Sequence, residues 1–296
     1  MEKKSSLDFI GGSGLLALAL VLGFNQVMIK VLNDGLQPVF SCGLRSVCAF
    51  FIIYAYARWR GRPLSISDGT LTLGILTGVL FALEFIFLFV ALDYTSVVRV
   101  SIFFYSMPIW ITLGAHFFVD GQRITPIKGL GLTVAMAGVV WALFDRGAGG
   151  GSLIGDILTT IGAMCWAAIG LIARVTRFNR AVPEMQLLYQ LAVSSVILIP
   201  AAFFFGPLIR DLQLWHWGVF ALMTGGVVCF GFLFFFWVVS IYPPSSVGSF
   251  MFLAPVFGVV FGWFILGEPI GLTIVGALTL VCLGIILINR NPKTSS

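Results

Sequence analysis

The chain has 296 residues, of which 59% are hydrophobic and only 10% are charged, and this composition excludes an ordinary water-soluble domain. The net charge of +5 does not indicate a nucleic-acid partner, because no stretch concentrates the basic residues beside aromatic ones. We therefore expect a protein that crosses a membrane several times.

Ten apolar segments are long enough to cross about 30 Å of hydrocarbon, which predicts an all-α membrane protein with ten transmembrane helices. The predicted spans are Ile10–Lys30, Pro38–Trp59, Thr70–Val90, Val97–Val119, Ile127–Phe144, Leu153–Arg174, Glu184–Phe205, Trp215–Val239, Val247–Leu266 and Ile270–Asn289. The first segment contains Asn25, Gln26 and Lys30 and has no Ala-x-Ala cleavage site, so we interpret it as a span and not as a secretion leader.

Basic residues are concentrated on one side of the predicted membrane. If the amino terminus is cytoplasmic, twelve Lys and Arg residues fall in cytoplasmic segments, whereas only Lys30, Arg99, Arg146 and Arg210 fall in outer ones. Because short cytoplasmic loops carry an excess of Lys and Arg, this asymmetry predicts that both termini lie in the cytoplasm.

The cysteines predict neither a disulfide nor a metal site. All five lie inside apolar spans without Cys-x-x-Cys or Cys/His spacing, at Cys42, Cys48, Cys165, Cys229 and Cys282. A free cysteine in such a position packs as a small hydrophobic residue.

Polar side chains inside the first two spans should face protein or a cavity, because lipid cannot satisfy them. Asn25 and Gln26 in span one could hydrogen-bond a neighbouring helix or contact a ligand. Arg45 in span two lies seven residues after Pro38, which places it about 10 Å below the outer surface. A charge there costs about 2.5–3.5 kcal/mol unless it is paired or snorkels.

Span three contains the most informative residue, Glu84, about 15 Å from the outer surface. It shares a predicted buried face with residues that recur at helical spacing, namely Thr70, Gly74, Thr77, Phe81 and Ala91. Three interpretations are open. Glu84 forms a structural ion pair with Arg45, or it meets a cationic substrate or a proton, or it stays protonated in its buried site and hydrogen-bonds.

Spans four and six carry further candidate residues. A polar stripe in span four consists of Ser101, Tyr105, Pro108 and Thr112. Pro108 removes a backbone hydrogen bond and should kink the helix, either as a tolerated packing feature or as a bending point. Trp166 lies near the middle of span six, where it either packs or forms a flat wall for a ligand ring.

The second half of the chain repeats landmarks of the first. Pro108 and Pro255 are 147 residues apart. Gly138 and Gly284 are 146 residues apart, and so are the turns Gly121-Gln122 and Gly267-Glu268. A Gly-rich linker, which we interpret as a flexible hinge, joins the halves, so we expect one repeat over residues 1–147 and a second over 148–296. Since five spans per repeat is an odd number, the second repeat should be inverted relative to the first.

Several stretches resemble the EamA-type branch of the drug/metabolite transporter superfamily, which consists of ten-span bacterial permeases. These stretches are GFNQVMIK, LRSVCA around Arg45, ALDYTSV, SMPIW around Pro108, GDILTTIGAMCWA around Trp166, and FLAPVFGVVFGWFILGEPI, together with the glycine of VCLGIIL. They cover nearly the whole chain, and the block that ends in LGEP is the most specific. The turn DGQRI departs from the family pattern, because Gln122 stands where the family often has a glutamate.

The resemblance implies a fold of two inverted five-helix repeats around a central cavity that opens to either side in turn. It implies a secondary transporter that moves a small organic metabolite, above all an amino acid or related amine, outward across the bacterial inner membrane. Expected partners are the substrate and the lipid bilayer, with protons as a candidate coupling ion, no nucleic acid and no cofactor, in a monomer or weak homodimer.

The candidate substrate site was chosen by depth and polarity within that fold. It comprises Asn25, Glu84, Ser101, Tyr105, Trp166, Gln190, Ser249 and Phe252, with Arg45, Pro108 and Pro255 in structural or gating roles.

Two other functions remain open. A multidrug exporter of lipophilic cations would also use a lone membrane glutamate. An intramembrane enzyme is the remote alternative, because His116 and His216 lie toward span ends, away from Ser249, and no two aspartates lie within the spans. We therefore expect a carrier and not an enzyme.

Overall fold

The computed structural model of the chain describes residues 9–119, 123–144, 152–241 and 252–289. Ser249, the Gly121-Gln122 turn and residues 145–151 of the Gly-rich linker lie outside these ranges. Within them, nine helices are long and apolar enough to cross a membrane, and Leu253–Leu266 is a shorter apolar helix at the position of predicted span nine. The prediction of an all-α membrane protein is confirmed.

The helices are labelled in chain order. They are α1 (Phe9–Gly35), α2 (Pro38–Trp59), α3 (Leu71–Tyr94), α4 (Val97–Phe104), α5 (Met107–Phe118), α6 (Pro126–Phe144), α7 (Leu153–Val175), α8 (Pro183–Ala202), α9 (Leu214–Ala221), α10 (Phe232–Ile241), α11 (Leu253–Leu266) and α12 (Leu272–Asn289). A π-helical segment, Leu222–Gly231, joins α9 to α10, and a short 3-10 helix, Arg177–Arg180, follows α7.

Because successive spans reverse direction, the helix ends lie at two faces. We call the face where α1 begins and α12 ends the termini face, and the other the opposite face. The main hydrophobic core lies between the two halves of the chain, since it combines Leu88 and Phe89 of α3 with Leu187 and Leu188 of α8.

Span four is broken at the place where the sequence predicted a kink. Helix α4 ends at Phe104, and α5 restarts at Met107 with Pro108 in its first turn, where a missing backbone N–H is tolerated. The Ser106 hydroxyl donates to the Phe103 carbonyl at 2.6 Å and satisfies one of the freed acceptors. Helix α11 begins at Leu253, 146 residues after Met107, so both repeats start a helix at the equivalent position.

Contacts between equivalent helices show that the second repeat is inverted. A Cβ on Gly131 of α6 would lie 2.8 Å from the Gly284 oxygen of α12, and a Cβ on Gly138 would lie 2.7 Å from the Ala277 oxygen. The order of contacts is reversed along the two helices, so they run antiparallel. Since α6 and α12 are the last spans of the two repeats, one repeat is upside down relative to the other.

The second spans of the repeats show the same relationship. Near the start of α2, the Gln37 amide donates to the Ala202 carbonyl at the end of α8, at 3.0 Å. Further along, the Ser194 hydroxyl donates to Ser46, also at 3.0 Å. The fold of two inverted five-helix repeats is therefore confirmed.

Two predicted span ends were several residues short. Helix α1 continues to Gly35 and α3 to Tyr94, beyond the predicted ends at Lys30 and Val90. The reason is that Lys30 donates to the Leu92 carbonyl at 2.6 Å and to the carbonyl of Thr95 at 2.8 Å. A cation at the carboxyl end of a neighbouring helix is favourable there, so the lysine does not end the span.

The turn between α11 and α12 explains the LGEP sequence. Gly267 has a φ of +66°, the left-handed conformation that glycine adopts without strain, and it ends α11. The carboxylate of Glu268 then accepts hydrogen bonds from the backbone N–H groups of Val97 and Val98, each at 2.8 Å. Glu268 thus caps the amino terminus of α4 and connects the two repeats at the opposite face.

Arg99, which the sequence analysis counts among the charges of the outer segments, is buried in the structure. Its side chain and that of Asp156 are each only 1% exposed and form a buried ion pair. The guanidinium bonds both carboxylate oxygens and donates to the Ala142 carbonyl at 2.9 Å. This network connects α4, α6 and α7.

Candidate functional site

Polar side chains form a layer in the middle of the membrane-spanning bundle. Asn25 and Gln26 lie on α1, Arg45 on α2, Glu84 on α3 and Thr224 in the π-helical segment, and all five are buried. Counting 1.5 Å per residue from the helix ends places them about 10–15 Å below the opposite face. Helices α1, α2 and α3 pack against one another, and the π-helical segment of the second repeat packs against α1 and α2, so the layer is shared by both repeats.

Four oxygen atoms in this layer have no hydrogen-bond donor among the described residues. They are Asn25 Oδ1, Gln26 Oε1, Glu84 Oε2 and Thr224 Oγ1, and each is buried. An unsatisfied buried acceptor costs about 1–3 kcal/mol. The layer therefore has a surplus of acceptors, which a ligand with N–H groups would satisfy.

Arg45 does not form the ion pair with Glu84 that was one interpretation of the sequence. Both side chains are only 2% exposed, and the charge of Arg45 acts on the carboxyl, yet the described residues contain no salt bridge between them. The guanidinium carbon instead lies 4.3 Å from the ring centroid of Phe85 and 5.0 Å from that of Phe89. The guanidinium is thus bound by cation–π contacts and not by a hydrogen bond to the carboxylate.

Three predicted site residues, Glu84, Tyr105 and Trp166, lie where α3 and α4 pack on α7. A Cβ on Gly162 would lie 3.3 Å from the Glu84 carbonyl oxygen, and Trp166 follows one turn later on the same face of α7. The Trp166 ring stacks on Phe104 with 6.0 Å between centroids, and Phe104 packs edge-on against Tyr105. The backbone of Glu84 and the rings of Trp166 and Tyr105 thus lie along the contacts that α7 makes with α3 and α4.

Other predicted site residues have structural roles or lie elsewhere. The Ser101 hydroxyl donates to the Val97 carbonyl at 2.8 Å and occupies the space where a Cβ on Gly258 would lie, so it serves helix packing. Phe252 packs in a separate core with α6 and α12. Gln190 is half-buried, one turn before Ser194, and Pro255 is buried near the start of α11. Ser249 is outside the described residues.

Sequence reasoning missed the contributions of Gln26 and Thr224 to this layer. Gln26 was noticed in span one but was left out of the predicted site. Thr224 precedes Gly225 and Gly226, and this pair of glycines was the available signal for the π-helical segment. Such π-helical turns occur frequently at functional sites.

The two faces of the bundle are closed by equivalent contacts between the repeats. At the opposite face, the Gln37 N–H donates to the Leu208 carbonyl at 3.0 Å. At the termini face, Arg62 forms an ion pair with Glu184 at 2.8 Å. Leu208 follows Arg62 by 146 residues and Glu184 follows Gln37 by 147. The inverted repeats therefore place a contact between equivalent positions at each face, a backbone hydrogen bond at one and an ion pair at the other.

The opposite-face contact has two further components. Leu36 and Ile209 form an isolated antiparallel bridge, and Arg210 pairs with Asp93 at 2.7 Å. A cavity of about 350 Å³ lies beside this pair, lined by Lys30, Asp34, Leu92, Asp93 and Arg210. The middle layer is thus enclosed at both ends by contacts that cross between the repeats.

The profile of the EamA-like transporter family matches residues 9–144 and residues 153–290. The chain belongs to the EamA-like transporter family. Its resemblance to the drug/metabolite transporter superfamily is thereby confirmed. The family membership indicates a multi-pass membrane transporter and not an enzyme.

Similar proteins give the same general description. The uncharacterised transporter YoaV of Bacillus subtilis (strain 168) is 23% identical, over 93% of this chain and 94% of that protein. The uncharacterised transporter YvbV of the same organism is 25% identical, over 93% of this chain and 90% of that protein. An uncharacterised transporter of Archaeoglobus fulgidus is also 25% identical, over 89% of this chain and 92% of that protein. One solved crystal structure superposes with a TM-score of 0.68 at 18% identity, covering 93% of this EamA-like chain and 95% of that chain, and supports the fold alone.

Proposed function

We propose that this EamA-like transporter moves an amino acid or a related amine by alternating access. The observation that carries the proposal is that Arg45 and Glu84 lie buried at similar depth without a salt bridge between them. An amino acid carries an ammonium and a carboxylate, which need opposite charges at separate positions. Glu84 and the acceptor oxygens of the middle layer suit the ammonium, and the Arg45 guanidinium suits the carboxylate.

The aromatic residues next to Glu84 suit the remaining part of such a substrate. Trp166 is half-buried, and its ring stacks on Phe104 beside the buried Tyr105. An apolar or flat side chain of the substrate can pack on these rings. A simple amine would use Glu84 without Arg45, so the two substrate classes predict different effects of the Arg45 variant.

Alternating access follows from the equivalence of the two faces. Each face is closed by a loop of one repeat against the first turn of the second span in the other repeat. Separation of Arg62 from Glu184 would open the middle layer toward the termini face, and separation of Gln37 from Leu208 would open it toward the opposite face. Inverted repeats make these two open states nearly equivalent in energy.

Location and direction belong to the same proposal. The twelve-to-four distribution of basic residues supports cytoplasmic termini in a bacterial inner membrane, so the opposite face is the outer one. We propose outward movement of the substrate. Uptake into inside-out vesicles, with none into right-side-out vesicles under the same gradient, would support this direction.

The substrate class is tested by counterflow in proteoliposomes that are loaded with neutral amino acids, their decarboxylated amines or a lipophilic cation. Glu84→Gln and Arg45→Gln should each lower amino-acid transport at least tenfold, since each removes one charged contact. Ser195→Ala is the matched control, because this hydroxyl donates to the Ala192 carbonyl of its own helix. Transport of the lipophilic cation that depends on Glu84 but not on Arg45 would instead establish a multidrug exporter.

Proton coupling is tested with the same variants. If Glu84 carries a proton during the cycle, transport by the wild type should respond to an imposed pH gradient, and Glu84→Gln should abolish this response. A pH dependence that is unchanged in Glu84→Gln would exclude coupling through Glu84.

A further inference from the structure

A second cavity lies at the termini face, away from the middle layer. Its volume is about 150 Å³, and it lies between the end of α5, the start of α6 and the ends of α7 and α12. Three cationic side chains line it, Arg123, Lys128 and Arg174, and the described residues of its lining include no acidic one. The cavity therefore combines three positive charges at the boundary of the membrane-spanning region.

These three cations are not used to hold the fold together. The described part of the chain offers Arg123, Lys128 and Arg174 no salt bridge and no side-chain hydrogen bond. The cavity also borders the first turn of α6, which contains no acidic residue. The unpaired N–H groups of a helix start add positive potential. Three unpaired cations beside such a helix start favour an anion.

The inverted repeat provides an internal comparison. By the 146-residue offset, the positions of Arg123, Lys128 and Arg174 correspond to Pro269, Ile274 and Met28. None of these three is charged, although the second repeat folds in the same way. The fold itself therefore does not require cations at these positions.

The rest of the cavity wall indicates the source of the anion. Ile111, Ile124 and Ile288 provide apolar surface next to the cations. A soluble inorganic anion cannot pack against such apolar surface, whereas the glycerol and upper acyl region of a phospholipid can. Basic pockets between transmembrane helices at the cytoplasmic boundary are suited to anionic head groups.

We propose that this cavity binds the phosphate of an anionic phospholipid head group. The two guanidinium groups and the ammonium would bind the phosphate, and the phospholipid would come from the surrounding membrane. The site does not depend on the transported substrate, because it lies outside the middle layer.

The test measures lipid binding to the purified full-length protein in neutral detergent by native mass spectrometry. The probes are phosphatidylglycerol, phosphatidylcholine and inorganic phosphate. The test variant is Arg123→Gln/Lys128→Gln/Arg174→Gln. The matched control is Arg58→Gln/Arg60→Gln/Arg177→Gln, which removes three exposed cations of the same face that do not line the cavity.

The expected result is selective. Phosphatidylglycerol binding should weaken about fivefold for each cavity cation removed, and so about a hundredfold in the triple variant. The control variant should change it by less than about threefold, and phosphatidylcholine should bind all proteins alike. If the triple variant does not fold, the three single variants are measured in the same way.

Three outcomes would overturn the proposal. Equal losses of phosphatidylglycerol binding in the cavity and control variants would mean that the lipid is attracted by the basic surface in general and not by the cavity. Unchanged phosphatidylglycerol binding in the cavity variants would mean that the cavity holds no lipid. Cavity-dependent binding of inorganic phosphate without binding of phosphatidylglycerol would assign the site to a soluble phosphate.

Discussion

The buried pair of Arg99 and Asp156 offers a quantitative test of the fold. Both side chains are 1% exposed, and the pair connects the start of α4 to the start of α7. In Asp156→Asn the side chain keeps its shape and one acceptor oxygen, but the guanidinium loses its compensating charge. The Arg99 hydrogen bond to the Ala142 carbonyl remains and is too weak to replace that charge.

Removal of one partner from a buried ion pair typically destabilises a protein by about 3–5 kcal/mol. At about 2–4 °C per kcal/mol, this corresponds to a fall of about 6–20 °C in the melting temperature. The matched control is Asp93→Asn at the opposite face, because Asp93 and Arg210 are 25% and 33% exposed. A pair with that exposure contributes only about 0–1 kcal/mol.

The assay is thermal unfolding of each purified variant in the same detergent, followed by tryptophan fluorescence. A third variant, Arg99→Met/Asp156→Leu, replaces both charges by apolar side chains and should recover most of the loss, since neither charge of the pair is then buried. The reasoning would be refuted if Asp156→Asn had the same melting temperature as the wild type. It would also be refuted if Asp93→Asn lost as much stability as Asp156→Asn.

Three further predictions concern packing, capping and pH. Gly284→Ala should lower the melting temperature, because its Cβ would lie 2.6 Å from the Gly131 oxygen, whereas Gly218→Ala, in open space, should not. Glu268→Gln should cost about 0.5–2 kcal/mol, measured by the same melting assay, because it weakens the cap on α4. Asp68, in the loop before α3, accepts two hydrogen bonds from Thr70, which hold the pKa of its carboxyl below the ordinary value of 3.8. The ionised carboxyl therefore stabilises the fold at pH values above 3.8, and this contribution is lost as the pH falls through the lowered pKa. In Asp68→Asn the melting temperature should consequently depend less on pH between about pH 5 and pH 3 than in the wild type.

The sequence was sufficient to predict the architecture because hydropathy and repeat spacing follow from the order of residues along the chain. Apolar runs located the spans, and an odd number of spans per repeat required inversion, which the antiparallel contact of α6 with α12 shows. The burial of Glu84 also followed from helical spacing on α3. None of these inferences requires knowing which helices contact one another.

The contacts that define the site could not be predicted in the same way. Arg99 and Asp156 are 57 residues apart, and only the packing of α4 on α7 brings them together. Arg45 contacts the ring of Phe85 and does not form the ion pair with Glu84 that was one of three interpretations of the sequence. Which of these contacts forms depends on the relative rotation of α2 and α3. Sequence periodicity specifies which face of a helix is buried, but it does not specify the neighbour.

A contribution to stability does not explain why a glutamate is buried at position 84. Arg45 recovers part of its desolvation cost from two aromatic rings, at about 2 kcal/mol or more for a desolvated contact. Glu84 Oε2 has no donor among the described residues, so its burial costs free energy without a compensating contact. Glu84→Met, which has similar volume, should therefore leave the melting temperature unchanged or raise it, while amino-acid transport falls at least tenfold. A melting temperature well below that of the wild type would mean instead that the carboxyl supports the bundle, and the assignment of Glu84 to the substrate site would lose its physical basis.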